Sequence, residues 1–220
     1  MEKRLYEYSS NVFSQFGEDG ITKNILEFLN IDSGVILEIG AWDGFYLSNT
    51  ANLWSNNENF KAILLEAADT MNPEELNNKY PNIDSFRVFA SSENTLEKLI
   101  DDCKFDVTNE NFVLASIDID GDDFNVTKSL GKYRPIILIV EPNGNVLERE
   151  NWVNPLGATV KELIDLGLEM GYEFIGMSGT PDIISGNVYL IRKDYADLFQ
   201  ITKLPWDERG ILKYGGPIYK

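Results

Sequence analysis

The 220-residue sequence predicts a doubly wound α/β fold, a mostly parallel sheet covered by helices on both faces. Three observations predict it. Short apolar runs alternate along the chain with stretches of helical period. Several of those runs are rich in Ile, Leu and Val without polar alternation, as in strands buried on both faces. The chemistry-bearing residues follow directly after the runs, where open α/β sheets bind ligands.

The elements justify themselves in order. Ile21, Ile25, Phe28 and Leu29 fall on one helical face after Asp19, an expected N-cap. Strands are expected at Val35–Ile39, Ala62–Leu65, Phe86–Phe89, Phe112–Ile117 and Ile136–Val140. Leu96, Leu99, Ile100 and Cys103 mark a helix, with Asn94 and Glu97 placed like a capping box. Asp122 and Asp123 suit the first turn of a helix from Phe124. Val160, Leu163, Ile164 and Gly167 mark another helix, closed by Gly171. The last strands, Tyr172–Gly176 and Asn187–Ile191, are joined by the turn-rich stretch Met177–Gly186, which predicts an antiparallel hairpin at a sheet edge. No repeat or linker divides the chain. One domain over 1–220 is expected: a cap segment at 1–33, a core sheet at 34–195 and a tail at 196–220.

Composition narrows the chemistry. The chain has no His, which excludes Ser-His-Asp and Cys-His catalysis and His-ligated metals. A single Cys, Cys103, excludes a disulfide framework and fits a reducing compartment. The net charge of −17 argues against nucleic acid as a partner. The N-terminus has no apolar leader and no run is long enough for a membrane span, so a cytoplasmic location is expected.

The sharpest feature is Leu37-Glu38-Ile39-Gly40-Ala41-Trp42-Asp43-Gly44, a buried strand running into a glycine turn and then a helix-period segment. Glycines there would let backbone amides approach a ligand, helped by a helix N-terminus. The spacing is not the Gly-x-Gly-x-x-Gly that wraps a pyrophosphate, which argues against a nicotinamide oxidoreductase. Glu38 suits a ligand ammonium. Glu66, ending the second strand about 20 residues on, suits a ribose diol. S-adenosyl-L-methionine needs both features.

With these residues the chain resembles the FkbM-type family of class I S-adenosylmethionine-dependent methyltransferases. Matching segments include Ser14-Gln15-Phe16-Gly17-Glu18-Asp19-Gly20, the Glu38–Gly44 turn, Ser116-Ile117-Asp118-Ile119-Asp120-Gly121-Asp122-Asp123, and Tyr133-Arg134-Pro135 leading to Glu141. The resemblance implies a Rossmann-like seven-stranded sheet with an antiparallel last strand. It also implies O-methylation of sugars or other natural-product hydroxyls. Glu38, Gly40, Ala41 and Gly44 would hold the methionine portion, Glu66 the ribose, and Ser91 and Ser92 would lie near the adenine. Gln15, Asp43, Ala67 and Asp118 complete the expected cofactor contacts. Glu141-Pro142-Asn143 departs from the family's Glu-Tyr-Asn, which leaves the acceptor open.

Asp118, Asp120, Asp122 and Asp123 cluster at the fourth strand's end, with Glu141 and Asn143 at the fifth. Oxygen-rich sets of this kind prefer hard cations, so Mg²⁺ or Mn²⁺ on Asp118, Glu141 and Asn143 is an expectation. Asp118, Asp120 and Glu141 are the candidate catalytic carboxylates, because a hydroxyl acceptor must lose its proton. Substrate contacts are expected from the loops Ser14–Gly20 and Pro142–Pro155 and from the tail Pro205–Lys220, whose amide and aromatic groups suit a small-molecule or glycan acceptor. The Tyr-rich ends offer surface for a homo-oligomer. Alternatives are a methyltransferase for another small metabolite and a non-catalytic cofactor-binding partner module.

Overall fold

The computed structural model describes residues 5–91, 94–142, 157–179, 186–200 and 218–219. After a 3₁₀ turn at Leu5–Tyr8 the elements run α1 (Glu18–Leu29), β1 (Gly34–Ile39), α2 (Ala51–Trp54), β2 (Phe60–Glu66), α3 (Pro73–Lys79), β3 (Ile83–Arg87) and α4 (Leu96–Asp101). They continue β4 (Phe112–Ile117), α5 (Asp123–Lys128), β5 (Ile137–Val140), α6 (Val160–Glu169), β6 (Tyr172–Met177), β7 (Val188–Arg192) and α7 (Lys193–Ala196). Two short strands, β8 (Phe199–Gln200) and β9 (Ile218–Tyr219), form a separate ribbon.

The main sheet has the order β3-β2-β1-β4-β5-β7-β6. Strands β1 to β5 pair in parallel, while β7 is antiparallel to both β5 and β6. Side chains alternate across the sheet and feed two cores. Ile36, Leu64, Leu114 and Ile139 pack with Ile21 and Ile25 of α1, Trp54 of α2 and Leu76 of α3. Leu37, Ile63, Ala115 and Leu138 pack with Leu96 of α4, Val126 of α5 and Leu163 of α6. Both faces of the central strands are therefore apolar, which is why their sequences do not alternate. Each fully buried Leu or Ile contributes about 1.5–3 kcal/mol by burial.

Several local expectations are corrected. The N-cap of α1 is Gly17, with φ of 96°, and Asp19 sits inside the first turn. Asp19 Oδ2 instead accepts from the amides of Val12, Phe13 and Ser14, folding the preceding loop back over the helix end. Thr95, not Asn94, caps α4, accepting from the Lys98 amide. The third strand begins at Ile83, three residues before the expected start, because it pairs with Ala62 there. Pro73–Lys79 forms a helix that the apolar pattern does not reveal; Asn72 caps it and Pro73 occupies its first turn. No helix among the described residues is long and apolar enough to cross a membrane.

Candidate active site

The strand order reverses between β1 and β4, and a cavity of about 1120 Å³ opens at the carboxyl ends there. Gly40 leaves β1 with φ of 80°, and a Cβ on it would lie 1.7 Å from the Asp118 carbonyl oxygen. Only glycine lets β1 and β4 diverge at this point. Four amides of this turn are engaged by the protein itself. The Gly40 and Ala41 amides both donate to Leu65 O, the Trp42 amide to Glu66 and the Gly44 amide to Ala41 O. A long helix does not follow the turn: the loop runs to Thr50 and α2 is a single turn.

Glu38 holds that loop. Its Oε2 accepts from Ser48 Oγ and Thr50 Oγ1, each at 2.6 Å, and its Oε1 from the Asn49 amide at 2.7 Å. Burial pushes its carboxyl up to about 7, even though these three donors oppose the shift. Glu38 does not line the cavity; it supports the loop. Asp43 likewise turns inward on its own loop, accepting from the Phe45 and Tyr46 amides. Ala41 and Gly44 lie behind the cavity wall, and Gly44 packs near Leu76. The loop presents Trp42 and Leu47 in left-handed backbone, with Trp42, Tyr46 and Leu47 exposed at the cavity rim. Phe45 anchors it below on Trp54, with ring centroids 5.0 Å apart.

Glu66 is buried at the end of β2 and lines the cavity. Its Oε2 accepts from the Trp42 amide at 2.8 Å and its Oε1 from the Ala68 amide at 2.7 Å. Each oxygen retains a second lone pair, enough to accept two vicinal hydroxyl protons. Ala67, Ala90 and Ser91 continue this wall.

The opposite wall is acidic. Asp118, Asp120 and Glu141 all line the cavity. Asp118 and Glu141 lie side by side as an interacting carboxyl pair. Burial first, and mutual repulsion after it, holds Glu141 well above the usual carboxylate range; burial also raises Asp118. Glu141 Oε2 is buried without a hydrogen-bond partner among the described residues. Asp123 closes the turn, accepting from the Ile119 and Gly121 amides, and burial raises it to about 7. Asp122 accepts from the Asn125 side-chain amide.

Two further residues at the cavity have no individual role in the sequence reading, although Glu18 lies in the Ser14–Gly20 segment. Glu18 is fully buried in α1; it accepts from the Phe16 amide at 2.7 Å, Ser178 Oγ at 2.5 Å and Asn187 Nδ2 at 3.3 Å. Asn187 also bonds Asp118, so it links two carboxylates. An acid in the first turn of a helix reads as a dipole partner, and only the Ser14–Gly20 segment as a whole marks Glu18 for the site. Gln15 lines the cavity beside Glu18. Ser92 and Asn143, and most of the expected substrate loops, lie outside the described residues.

Solved methyltransferases share this architecture. The 1,6-didemethyltoxoflavin-N1-methyltransferase of Burkholderia thailandensis, with 1,6-didemethyltoxoflavin and S-adenosylhomocysteine bound, aligns over 80% of this chain and 77% of its own, at 10% identity and a TM-score of 0.50. The CurJ carbon methyltransferase aligns over 86% of this chain and 57% of its own, at 11% identity and a TM-score of 0.50. A SAM-dependent methyltransferase from Aquifex aeolicus aligns over 77% of this chain and 88% of its own, at 16% identity and a TM-score of 0.46. No protein-family model and no curated protein matches the chain. The fold is the class I methyltransferase fold, with its reversed strand inserted between β5 and β6.

Proposed function

We propose that this chain is an S-adenosylmethionine-dependent O-methyltransferase of the FkbM type. Its acceptor is a hydroxyl of a sugar, polysaccharide precursor or related glycoconjugate, and it works in the cytoplasm as one methyltransferase domain. One observation carries the reading: a single cavity, at the switch point of a methyltransferase-type sheet, brings Gly40, Glu66, Ser91, Asp118 and Glu141 together. The FkbM assignment and the sugar acceptor rest on the sequence segments quoted above.

The cavity residues fit the cofactor. Glu66 has lone pairs that would take the ribose hydroxyls, Ala90 and Ser91 would lie by the adenine, and Gln15 and Asp118 by the methionine portion; all of them line the cavity. The cofactor supplies an electrophilic methyl group. The chain's own residues would handle the acceptor proton: the Asp118–Glu141 pair, whose affinity for protons burial raises, would take it from the hydroxyl. Asp120, on the adjoining turn, repels the pair's negative charge and so favours proton uptake by it. A divalent cation fits less well. The described residues contain no group of three or more Asp, Glu, His or Cys able to hold one, and the Asp118 and Glu141 carboxyls interact with each other. No step is assigned to a metal.

A thermal-shift comparison tests the reading. Stabilisation by S-adenosylhomocysteine is expected, followed by mass-spectrometric detection of methylated hydroxyl acceptors; a shift with NAD alone would overturn it. A second reading is N- or O-methylation of another small metabolite. The exposed Trp42, Tyr46 and Phe89 at the rim favour it, because they suit a flat acceptor.

A further inference from the structure

Among the described residues seven large apolar side chains are exposed, and four of them line the active-site cavity: Trp42, Tyr46, Leu47 and Phe89. Three of the four come from the loop after β1. Exposed apolar residues scattered singly need no explanation, whereas a cluster at a cavity mouth marks a contact surface.

The backbone points the same way independently. Four non-glycine residues among those described have positive φ. Asn30 caps α1, and Asp120 is of a residue type that tolerates this conformation. The other two are Trp42, with φ of 51°, and Leu47, with φ of 55°, bulky residues for which it is costly. Such strain persists only where the surroundings over-determine it. Here they do. The Trp42 amide donates to Glu66 Oε2 at 2.8 Å, and its carbonyl accepts from Thr70 Oγ1 at 3.0 Å. Glu38 and Asp43 fix the rest of the loop. A loop shaped by folding alone would carry Gly or Asn at these two positions. This one instead holds two large apolar side chains out over the cavity on a rigid frame.

The surface spans the cavity mouth. At one end Trp42 is fastened to Glu66 on the ribose wall. At the other, Leu47 stands two residues before Asn49, whose side-chain amide donates to Ser116 of β4. The cavity of about 1120 Å³ also leaves room for a second occupant beside the cofactor, since one drug-sized ligand needs about 300–1,000 Å³.

Resting on the methyltransferase reading, we propose that the acceptor is amphipathic: its hydroxyl meets the Asp118–Glu141 pair, and a planar apolar ring joined to it stacks on Trp42 and Tyr46. Those two rings lie 6.2 Å apart between centroids, tilted by 50°, and Leu47 and Phe89 extend the apolar contact. A phenol and an aryl glycoside both have this chemistry. A sugar without an aromatic portion does not.

Calorimetric titration of the full chain saturated with S-adenosylhomocysteine tests this with β-naphthol, phenyl β-D-glucoside and methyl β-D-glucoside. The ring-bearing probes should bind with a negative heat-capacity change, the mark of apolar burial. Methyl β-D-glucoside should bind about tenfold more weakly or worse, the worth of one aromatic contact with its buried area. The tighter of the two ring-bearing probes tells a phenol from an aryl glycoside. Trp42→Asn relaxes the backbone and removes the ring, so it should raise the thermal midpoint while weakening both ring-bearing probes about tenfold. Trp42→Phe should restore most of that binding, which separates the ring contact from any loss of fold. S-adenosylhomocysteine should bind the unaltered chain and both variants alike, because the backbone bond to Glu66 survives. Failure of both ring-bearing probes, equal binding of methyl β-D-glucoside, or binding that Trp42→Asn leaves intact overturns the inference and leaves the methyltransferase reading standing. Lost S-adenosylhomocysteine affinity in Trp42→Asn assigns the rim to the cofactor and overturns it too. If S-adenosylhomocysteine does not bind the unaltered chain, the methyltransferase reading itself falls.

Discussion

The ends of β1 and β5 each bear a carboxyl withdrawn from solvent, buried at Glu38 and part-buried at Glu141, and they treat it in opposite ways. Glu38 accepts three hydrogen bonds from Ser48, Asn49 and Thr50 and never reaches the cavity. Glu141 faces the cavity, lies beside another carboxyl and has one oxygen without a partner among the described residues. Burial raises both. What separates them is compensation: a carboxyl surrounded by donors fixes a loop, whereas one left short of donors is open to proton exchange and ligand charge.

The contrast can be broken by substitution. Removing charge from the β4–β5 pair with Asp118→Asn should lower kcat by about 10²- to 10⁴-fold, the usual worth of an acid–base group. The thermal midpoint should hold, and S-adenosylhomocysteine should still bind; a lost fold would place Asp118 on the structural side. Glu38→Ala should do the reverse. It orphans two hydroxyls and an amide in a buried loop, and a loss of about 3 kcal/mol or more is expected in urea unfolding.

Acidity sharpens the comparison further. Glu38 and Asp123 keep their protons to about pH 7 in the folded chain, and Asp118 and Glu141 also hold theirs above the ordinary range. Unfolded carboxyls release theirs near pH 4. Between those limits the folded protein binds more protons than the unfolded one, so stability falls as pH rises. Unfolding at pH 5 and at pH 8 should differ by on the order of 3 kcal/mol, with the acidic condition the more stable. Glu38→Gln should remove part of that slope. The smallest effect is expected from Asp43→Ala, which frees the exposed Phe45 and Tyr46 amides and should cost about 1 kcal/mol.

Strands buried on both faces were the most legible part of the sequence. Phe112–Ile117 is a strand with the bounds its apolar run suggests, because nothing but packing shapes it. The β3 edge was read too late in the chain: Ile-Asp-Ser-Phe-Arg alternates, and the apolar Phe89 that extended the reading is exposed at the cavity rim. At the site, strand-end position was enough to single out Glu66, Asp118 and Glu141, all of which line the cavity. It could not distinguish Glu38 from them, since the donors that engage it lie ten to twelve residues away on a returning loop. Glu18 and Asn187 meet across about 170 residues, a pairing that no local pattern encodes.

Those long-range contacts bear on the order of assembly. The N-terminal loop is held by residues near the other end of the sheet: the Gly179 amide donates to Phe16 O, Ser178 Oγ to Glu18, and Thr22 is hydrogen-bonded to Tyr189. β7 must also insert between β5 and β6 before the sheet is complete. A ribosome extruding this chain releases the cavity's first wall long before its last. The parallel half of the sheet can form early, whereas the cavity cannot close until the hairpin is synthesised and threaded. Competence for ligand should therefore appear as a late, slow event in refolding, after most of the secondary structure has formed.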